Sequence, residues 1–109
     1  MKKQILCIDK SPDAEETYKS LIGYKFHFAT DSNSGCRVLE NNREISTVLL
    51  DDLVDNPISC LVKIKKRFKD KKIVVITESE AVKSFALTCE NCLLVDPPFD
   101  LDSIQGRLR

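Results

Sequence analysis

Apolar residues fall along this chain in two alternating rhythms. QILCID, residues 4–9, is a short aliphatic run that stops on an acid. STVLLD (46–51) and IVVIT (73–77) repeat the form, and CLLV (92–95) is a shorter version of it. Runs of this length without alternation predict strands covered on both faces. KFHFAT (25–30) alternates instead, which predicts a strand with one wetter face. Between the runs, apolar residues recur at helical spacing. Ala14, Tyr18 and Leu21 mark a helix within SPDAEETYKSLIGY (11–24), where Ser11 suits the N-cap and Pro12 the first helical position. Asp13, Glu15 and Glu16 favour its first turns, and Gly23 stops it. Val38 and Leu39 anchor a helix over 31–42, and Leu61, Ile64 and Phe68 share one face of another over 57–69. A helix of about two turns is expected at 80–88. Leu101, Ile104 and Leu108 mark a last helix over 100–108.

Strands alternating five times with helices predict an α/β fold, a doubly wound parallel sheet with right-handed crossovers and helices on both faces. The whole span, 1–109, reads as one domain. In such sheets the working crevice opens at the carboxyl ends of the strands. The residues expected there are Asp9 with Lys10, Asp51 with Asp52, Thr77 with Glu78, and Asp96 before Pro97. Carboxylates and a hydroxyl therefore collect at one rim. Oxygen ligands of this kind suit a hard cation, and a carboxylate can act as nucleophile toward phosphorus. The three glycines form no phosphate-cradling loop, which argues against a nucleotide site.

Charge and cysteine usage exclude several classes. Seventeen basic and 17 acidic residues leave no overall field for nucleic acid or an anionic membrane. No apolar run could span a bilayer, and the one in MKKQILCIDK breaks at Asp9, too early for a secretory signal. The expected location is cytoplasmic, so the five cysteines are expected to be reduced thiols. Cys7, Cys36 and Cys60 read as small core residues. CENC (89–92) has redox spacing but closes a helix where such motifs open one, and no second pair completes a zinc site. His27, the single histidine, sits between Phe26 and Phe28 on the other face of its strand and supports no catalytic triad. KIKKRFKDKK (63–72) holds seven basic residues and one acid, a density that can bind phosphate backbones. That nucleic-acid reading is disfavoured, because Phe68 lies on the core face and basic residues at a helix C-terminus complement its dipole.

ILCID at the first strand, ATDS (29–32) entering the second helix, VLLD (48–51) and IVVIT (73–77), in that order, resemble the receiver domain of two-component response regulators. The resemblance covers nearly the whole chain. It implies a flavodoxin-like five-stranded sheet in the order 2-1-3-4-5, with Asp51 at the phosphoacceptor position and Thr77 as the phosphoryl-contacting hydroxyl. It also implies a magnesium site at Asp9 and Asp51, expected to be weak because Lys10 stands where the family has a second acid, and a histidine kinase or other signalling protein as partner.

The departures matter as much. The family's acidic pair reads Asp9-Lys10, and its Lys-Pro-Phe reads Pro97-Pro98-Phe99 with Asp96 beside it. The switch aromatic of the fifth strand falls on Leu94, and LVDNP (53–57) brings its proline late. Lys10 is expected to pair with Asp51, standing in for the metal and lowering the Asp51 pKa. Asp52 and Asp55 are expected to face solvent. Two functions stay open. In one, Asp51 is phosphorylated in a phosphorelay and shifts the face of the fourth helix and fifth strand. In the other, which Leu94 favours, a phosphorylation-independent pseudo-receiver binds its partner constitutively. Neither is an enzyme beyond catalysing its own phosphorylation. The abrupt ending at LR suggests a segment of a longer regulator with its output region elsewhere.

Overall fold

A computed structural model describes residues 3–21, 23–97 and 101–108. Strands and helices alternate along it as β1 (Lys3–Ile8), α1 (Ala14–Tyr18), β2 (Tyr24–Ala29), α2 (Ser32–Asn41) and β3 (Ile45–Asp51). α3 (Pro57–Arg67), β4 (Lys72–Ile76), α4 (Glu80–Leu87), β5 (Cys92–Val95) and α5 (Leu101–Leu108) follow. All four strand pairings are parallel and the order is β2-β1-β3-β4-β5, as expected for a doubly wound sheet.

The aliphatic runs are continuous because both faces of the sheet are covered. Leu6, Ile8, Val48, Leu50, Ile73 and Val75 face α2, α3 and α4 through Cys36, Leu39, Leu61, Ile64, Val82 and Ala86. Ile5, Cys7, Leu49, Val74 and Ile76 point the other way, onto Ala14 and Tyr18 of α1 and Ile104 and Leu108 of α5. α2 comes close to β1 at Gly35, where an added Cβ would lie 2.7 Å from Ile8 Cδ1. β2 is an edge strand, and its Tyr24, Phe26 and Phe28 are only partly covered. His27, on its other face, shares a 2.9 Å hydrogen bond with Gln4, and burial holds its pKa below the ordinary histidine value.

The first helix departs from expectation. α1 is five residues long and is preceded by Asp13, with no side-chain cap. Ser11 does not cap it; the Ser11 hydroxyl accepts the Asp13 N–H at 3.2 Å, while the Ser11 N–H is held by Asp9 Oδ1 at 2.8 Å. The 11–13 segment is thus wound around Asp9 before the helix can begin. Beyond α1 the Leu21 N–H bonds Tyr18 O at 3.1 Å, a tighter i→i+3 turn, and the chain reverses at Gly23 with φ +99°. α3 stops short of the predicted residue 69 because Phe68 leaves helical geometry as its C-cap. Cys7, Cys36 and Cys60 are buried free thiols.

Candidate functional site

The carboxyl ends of β1, β3 and β4 meet at one rim because the parallel register runs Ile8–Leu50 and Asp51–Ile76 across the sheet. Each strand therefore delivers its terminal polar residue to the same edge. The Asp9 N–H still pairs with Ala29 O at 2.9 Å, and the Thr77 N–H with Val95 O at 3.1 Å, so both residues sit on extensions of the ladder. Asp9 and Thr77 are buried, whereas Asp51 is half-buried.

Asp51 opens into a cleft of about 350 Å³ that also takes in Asp52, Leu53, Ile76, Glu78 and Pro97. One carboxylate oxygen, Oδ1, accepts the Leu53 N–H at 2.8 Å. The other accepts no hydrogen bond from the described residues. Burial lifts the Asp51 pKa above the usual carboxylate value, against the pull of the Leu53 N–H, and the negative charges of Asp9 and Asp52 lift it further. Cys7 is pushed up strongly by burial and further by the charges of Asp9 and Asp51, so it is an inert thiol.

The expected Lys10–Asp51 pair is absent. The Lys10 ammonium lies 3.3 Å from Asp55 Oδ1, with both side chains largely exposed. The reason is solvation: an ammonium moved into the half-buried cleft would surrender water that it keeps beside Asp55. The expected lowering of the Asp51 pKa is reversed for the same reason, since no fixed cation reaches it.

Asp52 was expected in solvent but is partly buried. Its Oδ2 accepts the Thr77 hydroxyl at 2.5 Å, and Thr77 Oγ1 in turn accepts the Ser79 N–H at 2.9 Å. The register places this contact: Asp51 pairs with Ile76, so their successors are neighbours where both strands end. A second unforeseen contact joins Lys83 of α4 to Asp96 at 2.6 Å, and Asp96 raises the Lys83 pKa. Pro97 stands in the cleft where the family pattern has a lysine, while Pro98 and Phe99 lie outside the described residues. Leu94 is half-buried against the cluster under α2, α3 and α4.

For a divalent ion the donor set is lean. Asp9 and Asp51 each have one oxygen committed to a backbone N–H, and no group of three or more ligating side chains converges among the described residues. Asp51 lines the cleft and Asp9 a separate opening beside Ser11 and Phe28, so the pair could hold a magnesium ion only with most of its water retained. The basic stretch 63–72 does not form one face. Lys63 bonds Asn33, Arg67 pairs with Glu40, and the buried Lys71 donates to Arg43 O. CENC closes α4 and enters β5, and burial pushes the Cys92 thiol up to about 11.

No family model and no curated protein matches the sequence. Solved structures do match the fold. A protein described as a two-component system response regulator/GGDEF domain protein superposes with TM-score 0.84 at 20% identity, over 98% of this chain and 47% of its own. Chemotaxis protein CheY4 of Vibrio cholerae gives 0.83 at 14% identity, over 99% of this chain and 97% of its own. A response regulator receiver domain protein from Clostridium thermocellum gives 0.83 at 19%, over 97% and 90%. This chain thus spans about half the length of the first and nearly all of the other two. At these identities the likeness is one of fold, the five-stranded flavodoxin-like fold that these receivers share. Among the described residues no helix is long and apolar enough to cross a membrane.

Proposed function

We propose that this chain is a receiver-like signalling domain in which Asp51 accepts a phosphoryl group from a phosphohistidine donor, such as a histidine kinase. The observation that carries the reading is the Asp51 carboxylate itself. It ends the third strand, opens into a cleft, and has one oxygen held by Leu53 while the other has no hydrogen-bond or ion-pair partner among the described residues. In the transfer, that oxygen bonds to phosphorus as the P–N bond of the donor breaks. The imidazole leaves with the bonding pair, and Asp51 becomes an acyl phosphate. Asp9 and Asp52 oppose the arriving negative charge, and Pro97 offers no ammonium to offset it. A magnesium ion held by Asp9 and Asp51 would supply the missing positive charge. The transfer is accordingly slow and dependent on magnesium concentration. Once Asp51 carries the phosphoryl group, the Thr77 hydroxyl, at the end of the adjacent strand, would have a second acceptor and could leave Asp52. Because Thr77 Oγ1 also holds the Ser79 N–H, that exchange would pull on the first turn of α4.

A second reading is a constitutive interaction module that never turns over phosphate. It is favoured by Thr77 being already engaged by Asp52 and by the Lys83–Asp96 bridge, which ties α4 to the end of β5 without phosphorylation. Intact-mass spectrometry after incubation with acetyl phosphate and magnesium separates the two, with Asp51→Asn as control. A phosphoryl adduct on the wild type alone supports the first reading. Absence of an adduct from both folded proteins transfers the conclusion to the second.

A further inference from the structure

α3 and α4 pack side by side on one face of the sheet, and a groove of about 400 Å³ runs between their C-terminal halves. Val62, Phe85 and Cys89 form its apolar walls, and Lys65, Lys66 and Lys69 stand along it. Glu90 is the single acid among its lining residues. The segments leading out of the groove enter β4 and β5 at their amino ends, so it lies at the opposite pole of the sheet from Asp51. It shares no lining residue with the cleft at Asp51.

Charge selects the occupant. Elsewhere in 63–72, Lys63, Arg67 and Lys71 are used within the chain, by Asn33, Glu40 and Arg43 O. Lys66 and Lys69 are exposed and have no ion-pair or hydrogen-bond partner among the described residues, and Lys65 donates only to Lys71 O at 3.3 Å. A chain of zero net charge thus concentrates unspent positive charge around an apolar slot. We propose that this groove docks an acidic amphipathic segment of a partner protein. One apolar side chain would enter between Val62 and Phe85, and flanking carboxylates would meet Lys65, Lys66 and Lys69. A nucleic acid is the poorer fit: it needs a continuous basic track with aromatic platforms, and Lys63, Arg67 and Lys71 are engaged by other parts of the chain.

The test is an amide-resonance titration of the intact chain with a synthetic peptide of about 12 residues, rich in Asp and Glu, with Leu and Phe at helical spacing. Shifts confined to residues 62–69 and 85–90 are expected, and they should fade as salt is raised. The Lys66→Glu/Lys69→Glu variant should weaken binding by about tenfold or more. Val62→Ser should weaken it without changing charge, which separates lost packing from lost attraction. Unchanged spectra elsewhere in both variants establish that they are folded. The proposal is overturned if no shifts occur at millimolar peptide. It is equally overturned if a peptide with its apolar residues replaced by Ser binds as well, or if a single-stranded oligonucleotide takes the same residues more tightly.

Discussion

Asp51 shows how a single side chain can be tuned by what is missing around it. Burial and two neighbouring carboxylates disfavour its charge, and only the Leu53 N–H supports it. The folded state therefore holds the Asp51 proton to higher pH than the unfolded chain does. Between the ordinary carboxylate pKa and the raised folded value, the native state binds more protons, so stability falls as pH rises through that window. Above the window the cost is constant. Asp51→Asn, which keeps an oxygen for Leu53, should melt a few degrees higher than wild type at neutral pH, and the gap should close as pH drops toward the unfolded value. Calorimetry of both proteins across that range checks this, and a lower melting temperature for the variant at neutral pH would contradict it. Lys10 belongs to the same lesson. Placed next to Asp9 in sequence, it is expected to pair with Asp51, yet in the fold it lies beside the exposed Asp55.

At the scale of elements, α4 carries the most consequence for its length. It is eight residues long, and its N-terminus is organised by Ser79, whose hydroxyl accepts the Val82 N–H at 3.3 Å and whose own N–H is bound to Thr77. A helix this short depends on its cap and its packing rather than on propensity. Ser79→Ala should cost about 1 kcal/mol, with amide exchange accelerated in the first turn of α4 before any other helix. Uniform acceleration across α2, α3 and α4 would show that α4 has no local opening of its own. α1 makes the complementary point. Its sequence has the composition of a longer helix, yet the Asp9–Ser11 and Ser11–Asp13 hydrogen bonds consume the residues that would have started it.

For the whole molecule, the two core layers share one sheet, and consecutive residues of β3 serve opposite layers. Leu49 packs on the α1 and α5 side, Leu50 on the α2, α3 and α4 side, and both are fully buried. Leu49→Ala and Leu50→Ala should each cost about 2–5 kcal/mol. Each should also unfold in one transition seen alike by backbone and tyrosine circular dichroism, because neither layer has a sheet to itself. Non-coincident transitions in either variant would mean that one layer survives without the other.

What the sequence by itself determined is the order of elements and the parallel sheet. Hydrophobic runs of strand length between helical repeats leave few topologies, and both faces of such strands must be covered. The residues at the strand ends were legible too, since a run that stops on Asp9, Asp51 or Thr77 puts that residue at the rim once the strands are parallel. The pairings at the rim were decided only by the tertiary structure. Whether Lys10 meets Asp51 or Asp55, whether Thr77 binds Asp52, and whether Lys83 crosses to Asp96 depend on distances between segments remote in sequence and on how much water each charge keeps. The same holds for the 63–72 stretch. Its composition announces a basic patch, but neighbouring elements claim Lys63, Arg67 and Lys71 and leave Lys66 and Lys69 unspent beside an apolar groove that no single segment contains.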